Sequence, residues 1–325
     1  MKMDEKFDLI IPVAAKDVDK IGLLISLVIT NLNPSRIIII SNVSAKVEIT
    51  KLPNVEFMDE DKMIPGLTHA AVDSIIETRA PGFRHRSGWY LQQFLKIGYA
   101  KICESKYYVV WDADTLPLNK IRFFDDSGRT LFTIKTEHHK PYFETIDLLF
   151  DGSVKKRIDD SFIAENMIIE RDLMCRMIAE IELSGDFFWE KILNAVNPIH
   201  LRRSGFSEFE TFGNWVITHA PESYGLRKLR CLRNCGRYYN VSWLEDPQVI
   251  EWMAQDFDTV SFEKWHRKRP RIILRALALF FASVRTVPFA KTMKILSWQV
   301  TFRKMLKRMV KKMCVGQEPV MRLKI

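Results

Sequence analysis

Residues 106–118 read KYYVVWDADTLPL, and the fold is decided there. Tyr107 to Trp111 form an unbroken apolar run that stops abruptly at Asp112-Ala113-Asp114, with Pro117 just beyond. Short continuous runs of aromatic and β-branched residues suit a strand covered on both faces. Similar runs lie upstream: FDLIIPVAA at 7–15, Arg36–Ser41 with four consecutive isoleucines, and Val55–Met58. Between the first two, Ile21, Leu24, Leu27 and Val28 keep helical spacing over 19–32. Alternating strands and helices predict an α/β domain with a mostly parallel sheet flanked by helices. In such sheets ligands bind outside the carboxyl ends of the strands. Ala14, Lys16 and Asp17, in the loop after the first strand, are therefore candidate nucleotide contacts.

The acid pair carries the chemistry. Two carboxylates at i and i+2 on an extended segment point to one side, within reach of one hard cation. Mg2+ or Mn2+ held by one or two carboxylates keeps positions open for diphosphate oxygens. The ion then offsets charge on a departing nucleoside diphosphate. Asp112 and Asp114 are thus the expected metal ligands, with Asp114 also counted as catalytic. A turn after a core strand is the plainer alternative, because Asp is common in turns.

Upstream, Ser87 opens a helix, SGWYLQQFLKIGYAKIC. At 100° per residue, Leu91, Phe94, Leu95, Gly98 and Ile102 share one face, with Trp89, Gln92, Gln93 and Lys96 opposite. Gln and Lys ordinarily mark a solvated face, but a Trp among them, with Arg84, His85 and Arg86 just before, reads as a recognition surface. Arg86, Trp89, Gln92, Gln93 and Lys96 join the candidate donor contacts.

The strand, the SGWYLQQFLKIGYA helix, YYVVWDADTLPL and SEFETFGNW together resemble a bacterial domain-of-unknown-function group related to GT-A glycosyltransferases. Members of that group occur in polysaccharide and lipopolysaccharide biosynthesis clusters. The resemblance spans about 1–250. It implies a GT-A fold, a nucleotide-sugar donor, and a divalent cation on Asp112 and Asp114. GT-A enzymes often add a later metal ligand, commonly a His. His219 and His266 are available for that part, although a lone His is more often structural.

In the second half, LFTIKTEHH (131–139) reads as a strand running into His138 and His139, which are expected to be loop residues. Glu165 and Asn166 interrupt an apolar run and need a partner or a ligand if buried. In GFSEFETFGNWVITHAPE (205–222), Phe206, Phe209, Phe212 and Trp215 or Val216 keep helical spacing. Ser207 and Glu210 form a capping box, which accounts for Glu210 and leaves Glu208 as the freer acid. Glu208 is the candidate base for an acceptor hydroxyl if the reaction inverts configuration.

Charge is uneven along the chain. Residues 264–325 hold 17 Lys or Arg and one acid, Glu318, whereas 1–263 hold 32 basic and 39 acidic residues. Such a basic tail seeks an anionic partner. Ile295, Trp298, Phe302, Met305, Leu306 and Met309 recur at helical spacing between cations, the pattern of a helix lying in a membrane interface. Nucleic acid is not expected, since the aromatics do not interleave with cations as a stacking platform requires. The expected organisation is a catalytic domain over 1–262 and a basic amphipathic helical tail over 263–325. Ordinary packing of that tail on the catalytic domain is the alternative.

Five cysteines form no C-x-x-C pair, so zinc and disulfides are not expected. The first residues do not have the shape of a signal peptide, which places the protein in the cytoplasm, peripheral on the inner membrane. Together these features predict a metal-dependent glycosyltransferase acting on a glycan or lipid-linked glycan. A nucleotidyl- or phosphotransferase using the same metal pair is the enzymatic alternative, and a non-catalytic membrane- or nucleic-acid-binding protein the other.

Overall fold

Five strands form the main sheet in the order β3-β2-β1-β4-β7. They are β1 (Phe7–Pro12), β2 (Arg36–Ser41), β3 (Glu56–Asp59), β4 (Tyr107–Trp111) and β7 (Asn166–Glu170). The first four run parallel, and β7 is antiparallel to β4, with Trp111 opposite Asn166. Every residue of β1 and β4 is buried, the fate expected of a run with no polar alternation. The mostly parallel α/β architecture predicted from the alternating runs is present. The computed structural model describes residues 5–183, 185–263, 277–278, 280–282, 285 and 287–297.

From β1 the chain goes to one side for β2 and β3, then to the other for β4. The carboxyl ends of β1 and β4 therefore flank a switch in strand order, where open α/β sheets form a crevice. Helices α1 (Gly22–Leu32), α2 (Lys46–Ile49), α3 (His69–Arg79) and α4 (Ser87–Gly98) connect these strands. At the opposite edge, buried Asp8 accepts hydrogen bonds from Arg36 (2.6 Å), Tyr99 (2.9 Å) and Ser105 (2.9 Å).

After β4 come two short strands, β5 (Thr115–Pro117) and β6 (Thr130–Thr133), then α5 (Lys140–Leu149). The strand expected over 131–139 stops at Thr133, and His138 and His139 lie beyond it, as loop residues should. Beyond β7 follow α6 (Arg171–Ile181), α7 (Phe188–Ala195), α8 (Pro198–Leu201) and α9 (Glu208–His219). Next comes β8 (Tyr224–Arg227), parallel to β6. Ser207 caps α9, its hydroxyl accepting from the Glu210 N–H, and Phe209, Phe212, Trp215 and Val216 are all buried.

Contacts divide the chain into two units, Met1–Leu229 and Arg230–Ile325. In the second, β9 (Cys231–Leu232) pairs parallel with β10 (Thr259–Ser261), and α10 (Pro247–Ala254) lies between them in sequence. Its core is aromatic: Phe289 packs edge-on against Trp252 (4.9 Å) and Phe257 (5.6 Å) and beside Tyr239 (5.6 Å). Residues 289–297 are helical, with Phe289, Thr292, Met293 and Leu296 buried and Lys291, Lys294 and Ile295 outward. Most of the tail expected over 263–325 lies outside the described residues. Phe289, Met293 and Leu296 are buried, whereas Ile295, the described member of the stripe expected to meet a membrane, lies outward. Trp298, Phe302, Met305, Leu306, Met309 and His266 lie outside the described residues. Among the described residues no helix is long and apolar enough to cross a membrane.

Candidate active site at the end of β4

At Asp112 the β4 strand gives way to a turn. The Asp112 N–H extends the ladder to the Glu165 carbonyl at 3.0 Å, and the Asp112 carbonyl accepts from the Thr115 N–H at 3.1 Å. The Trp111 indole N–H donates to the Thr115 carbonyl at 2.7 Å and fixes the bend. The acid pair is therefore not on an extended segment, because the Thr115 hydrogen bond folds the chain back one residue past Asp114. The turn offered as the plainer alternative is present at the acid pair. Asp112, Ala113 and Asp114 are all partly exposed at the carboxyl edge of the sheet.

Lys96 organises the surroundings. Its Nζ lies 2.7 Å from Asp112 Oδ1 and 2.7 Å from Glu208 Oε1, with its side chain 5% exposed. Burial opposes the ammonium charge, but the two carboxylates outweigh it and hold the Lys96 pKa above its ordinary value. The Nζ also sits 4.8 Å over the Phe209 ring. One turn earlier, Gln93 Oε1 accepts from the Glu208 backbone N–H at 3.3 Å. On α5, burial together with the Glu208 carboxylate pushes the Tyr142 pKa up to about 12. The structure thus joins Gln93, Lys96, Asp112 and Glu208, from three separate stretches of sequence, in one cluster.

This corrects two expectations. Gln93 and Lys96 are buried rather than solvated, because the amino end of α9 covers that face of α4. Glu208 is not a free acid: it is buried and ion-paired, since Lys96 enters a site that only a carboxylate makes tolerable. Only the Ser207 half of the expected capping box forms, because the Glu210 carboxylate turns to partners away from the helix end. That carboxylate accepts from the Ser161 hydroxyl (2.7 Å) and the Phe162 N–H (2.9 Å), so it anchors the chain ahead of β7.

Other candidates stand apart. Ala14 and Lys16 are exposed and Asp17 pairs with Lys20, in a 3-10 helix (Ala15–Lys20) rather than a loop, at the same sheet edge and one strand over from Asp112. Gln92 is partly exposed, and Ile102 leaves the apolar face of α4 to lie exposed beyond its end. Arg86 stacks over Trp89 at 4.5 Å, roughly three turns from Lys96. His219 stacks on Trp215 at 4.5 Å with Nδ1 3.0 Å from its own helix's Trp215 carbonyl, a structural placement. His139 Nε2 is 2.8 Å from the Ser204 carbonyl.

Sequence reasoning missed Lys135, whose Nζ pairs with the buried Glu165 carboxylate beside the β4 terminus. The buried interruption at Glu165 was the available signal, but its partner lies 30 residues away. Asn166 is wholly buried, with neither side-chain polar atom partnered.

Among the described residues, no group of three or more His, Cys, Asp or Glu side chains is placed to hold a metal. The residues do fit an ion bound by few protein ligands. Lys96 takes one oxygen of Asp112, the side chain keeps 27% exposure, and Asp114 is partly exposed. Mg2+ and Mn2+ are commonly held by one or two carboxylates plus phosphate oxygens.

Several solved glycosyltransferases are similar at low identity. Mouse xyloside xylosyltransferase 1 is 14% identical, covering 82% of this chain and all of that one, with a TM-score of 0.44. The galactosyltransferase LgtC, solved with donor and acceptor sugar analogues, is 12% identical over 86% of this chain and 97% of its own, with a TM-score of 0.42. The S. cerevisiae mannosyltransferase Ktr4p is 12% identical over 68% of each chain, with a TM-score of 0.41. Likeness at this level assigns no residue a role. No curated protein matches the sequence. A family model matches residues 5–270, most of the chain, and the protein belongs to the family of unknown function DUF6492.

Proposed function

We propose that this protein is a metal-dependent glycosyltransferase that moves a sugar from a nucleoside diphosphate to a hydroxyl of a bacterial surface glycan. Capsule, O-antigen or lipopolysaccharide is the kind of glycan intended. The observation that carries the reading is Lys96 bridging Asp112 and Glu208 beside the switch in strand order. A cation is commonly needed where two acids meet a diphosphate, and Asp112 and Asp114 are the residues to hold it. Bound there, Mn2+ or Mg2+ supplies Lewis-acid assistance to the leaving group.

The chain's own residues do the rest. Lys96 brings a fixed, buried positive charge to the edge where diphosphate charge develops, and such preorganised charge favours the transition state. Glu208 and Gln93 hold α4 and α9 together around it. In an inverting reaction Glu208 takes the acceptor proton. In a retaining one it serves Lys96 alone. Ala14, Lys16 and Asp17 face the nucleotide from the segment after β1. The basic segment 264–325 keeps the enzyme on an anionic cytoplasmic leaflet, near a lipid-linked acceptor.

Product analysis with a donor labelled separately in sugar and β-phosphate tests this. Sugar label alone in the product is expected, and phosphate label in the product would assign phosphoryl or nucleotidyl transfer instead.

A further inference from the structure

Helix α4 carries more than the Lys96 cluster. At 100° per residue, Arg86, Trp89, Gln93 and Lys96 fall within one face, so a single row runs from the Asp112 site to the start of the helix. Ten residues at 1.5 Å each put Arg86 about 15 Å from Lys96 along the axis. That is too far for Arg86 to share a diphosphate with Lys96.

Among its neighbours, Arg79 donates to the Leu193 and Val196 carbonyls and Arg84 pairs with Asp73 and Glu77. Arg202, like Arg86, has an aromatic ring as its described contact, Phe83 at 5.1 Å, but Arg202 is exposed. Arg86 is half-buried: it lies over the Trp89 ring, and its Nε is buried with no hydrogen-bond partner. The titratable groups acting on it are the Tyr90 and Tyr142 hydroxyls, with no carboxylate among them, and burial lowers its pKa. Tyr142 in turn lies within the electrostatic reach of Glu208, which ties this end of the row to the active site. A half-buried guanidinium over an indole, with no carboxylate described beside it, leaves its terminal nitrogens for water or an anionic ligand to complete.

We infer that Arg86, oriented by Trp89, recognises a carboxylate or phosphate carried on the acceptor glycan. The guanidinium presents a planar donor edge that fits either oxyanion with two hydrogen bonds. The acceptor part rests on the glycosyltransferase reading above. The anion site itself stands on Arg86 and Trp89.

The test is calorimetric titration of the full chain with methyl β-D-glucuronide, α-D-glucose 1-phosphate, neutral methyl β-D-glucoside and inorganic phosphate. At least one sugar-borne anion is expected to bind, and Arg86→Met to weaken it about tenfold or more, the scale of a lost charge-assisted contact. Arg86→Lys keeps the charge without the planar fork and is expected to weaken it about threefold, which reads the same contact should Arg86→Met fold poorly. The neutral glucoside should not distinguish the variants. Equal binding of all sugars to wild type and variants, or binding of neither anionic sugar, would overturn the inference. So would inorganic phosphate binding as tightly as the sugar-borne anions, which would make this a free-phosphate site. Mn2+-dependent affinity of the wild type for UDP, GDP, ADP and dTDP, measured in parallel, reports separately on the transferase reading.

Discussion

Lys96 Nζ and Glu208 Oε1 lie 2.7 Å apart, joining helix α4 to the first residue of α9 across 112 positions of sequence. Both side chains are under 10% exposed, and Asp112 is the ammonium's second partner at 2.7 Å. A charge in that setting is tolerable only because both carboxylates are present. The same contact sets the geometry of the candidate site and much of its stability.

Lys96→Met leaves two carboxylates without their cation. We expect a loss of about 3 kcal/mol or more in urea unfolding, the scale for breaking a buried pair from one side. The double variant Lys96→Met/Glu208→Leu should recover part of that loss, since a packed apolar pair can replace a buried ion pair. Transfer activity should not return with the stability. A double variant no more stable than Lys96→Met would show that the pair is not the source of the loss.

Asp8 should govern part of the acid response. Burial opposes its charge, but hydrogen bonds from Arg36, Ser105 and Tyr99 outweigh that and hold its pKa below the ordinary 3.8. A depressed folded pKa gives stability that is present above the ordinary value and lost as pH falls through the folded one. The stability gap between wild type and Asp8→Asn should therefore be constant near neutrality and shrink only below about pH 4. Unfolding titrations at stepped pH would show it, and a gap that widens on acidification would contradict the assignment.

At the start of α9, Ser207 and Glu210 make separate contributions. Ser207→Ala removes a cap and should cost about 1 kcal/mol. Glu210→Ala strips the Phe162 N–H and the Ser161 hydroxyl of their buried acceptor, and about 2–4 kcal/mol is expected. Chemical denaturation ranks the two. Equal losses would mean that Glu210 acts only as a helix cap.

Gly213 lies in α9 where a Cβ would meet the buried Phe162 ring at 2.4 Å. Gly213→Ala should destabilise by about 1–3 kcal/mol through overpacking. Gly22→Ala, with nothing within 4 Å of its Cβ, should be neutral or slightly stabilising. Thermal unfolding of the two variants tests the contrast.

The sheet was legible in the sequence because strands buried on both faces must be continuously apolar, as Leu9–Ile11, Ile37–Ile40 and Tyr107–Trp111 are. The end of β4 was legible too, since the apolar run stops at Asp112. Periodicity showed that Gln93 and Lys96 share a face of α4, but it cannot show what covers that face. The cover is α9, more than a hundred residues away. Glu208 looked free for the same reason: a capping box explains backbone bonds near in sequence, whereas the partner of Glu208 is distant. The unit beginning at Arg230 was hidden because its strands are only two and three residues long and its core is built from scattered aromatics.

Titration calorimetry of UDP, GDP, ADP and dTDP with and without Mn2+, on wild type, Asp112→Asn and Asp114→Asn, bears most directly on the central claim. At least one nucleotide should bind the wild type tightly only when Mn2+ is present. Each substitution should remove that Mn2+-dependent binding; Asp114→Asn should leave the unfolding midpoint near that of the wild type, whereas Asp112→Asn should lower it, because buried Lys96 loses one of its two carboxylates. Nucleotide binding that ignores Mn2+, or that survives both substitutions, would contradict a diphosphate site at the end of β4.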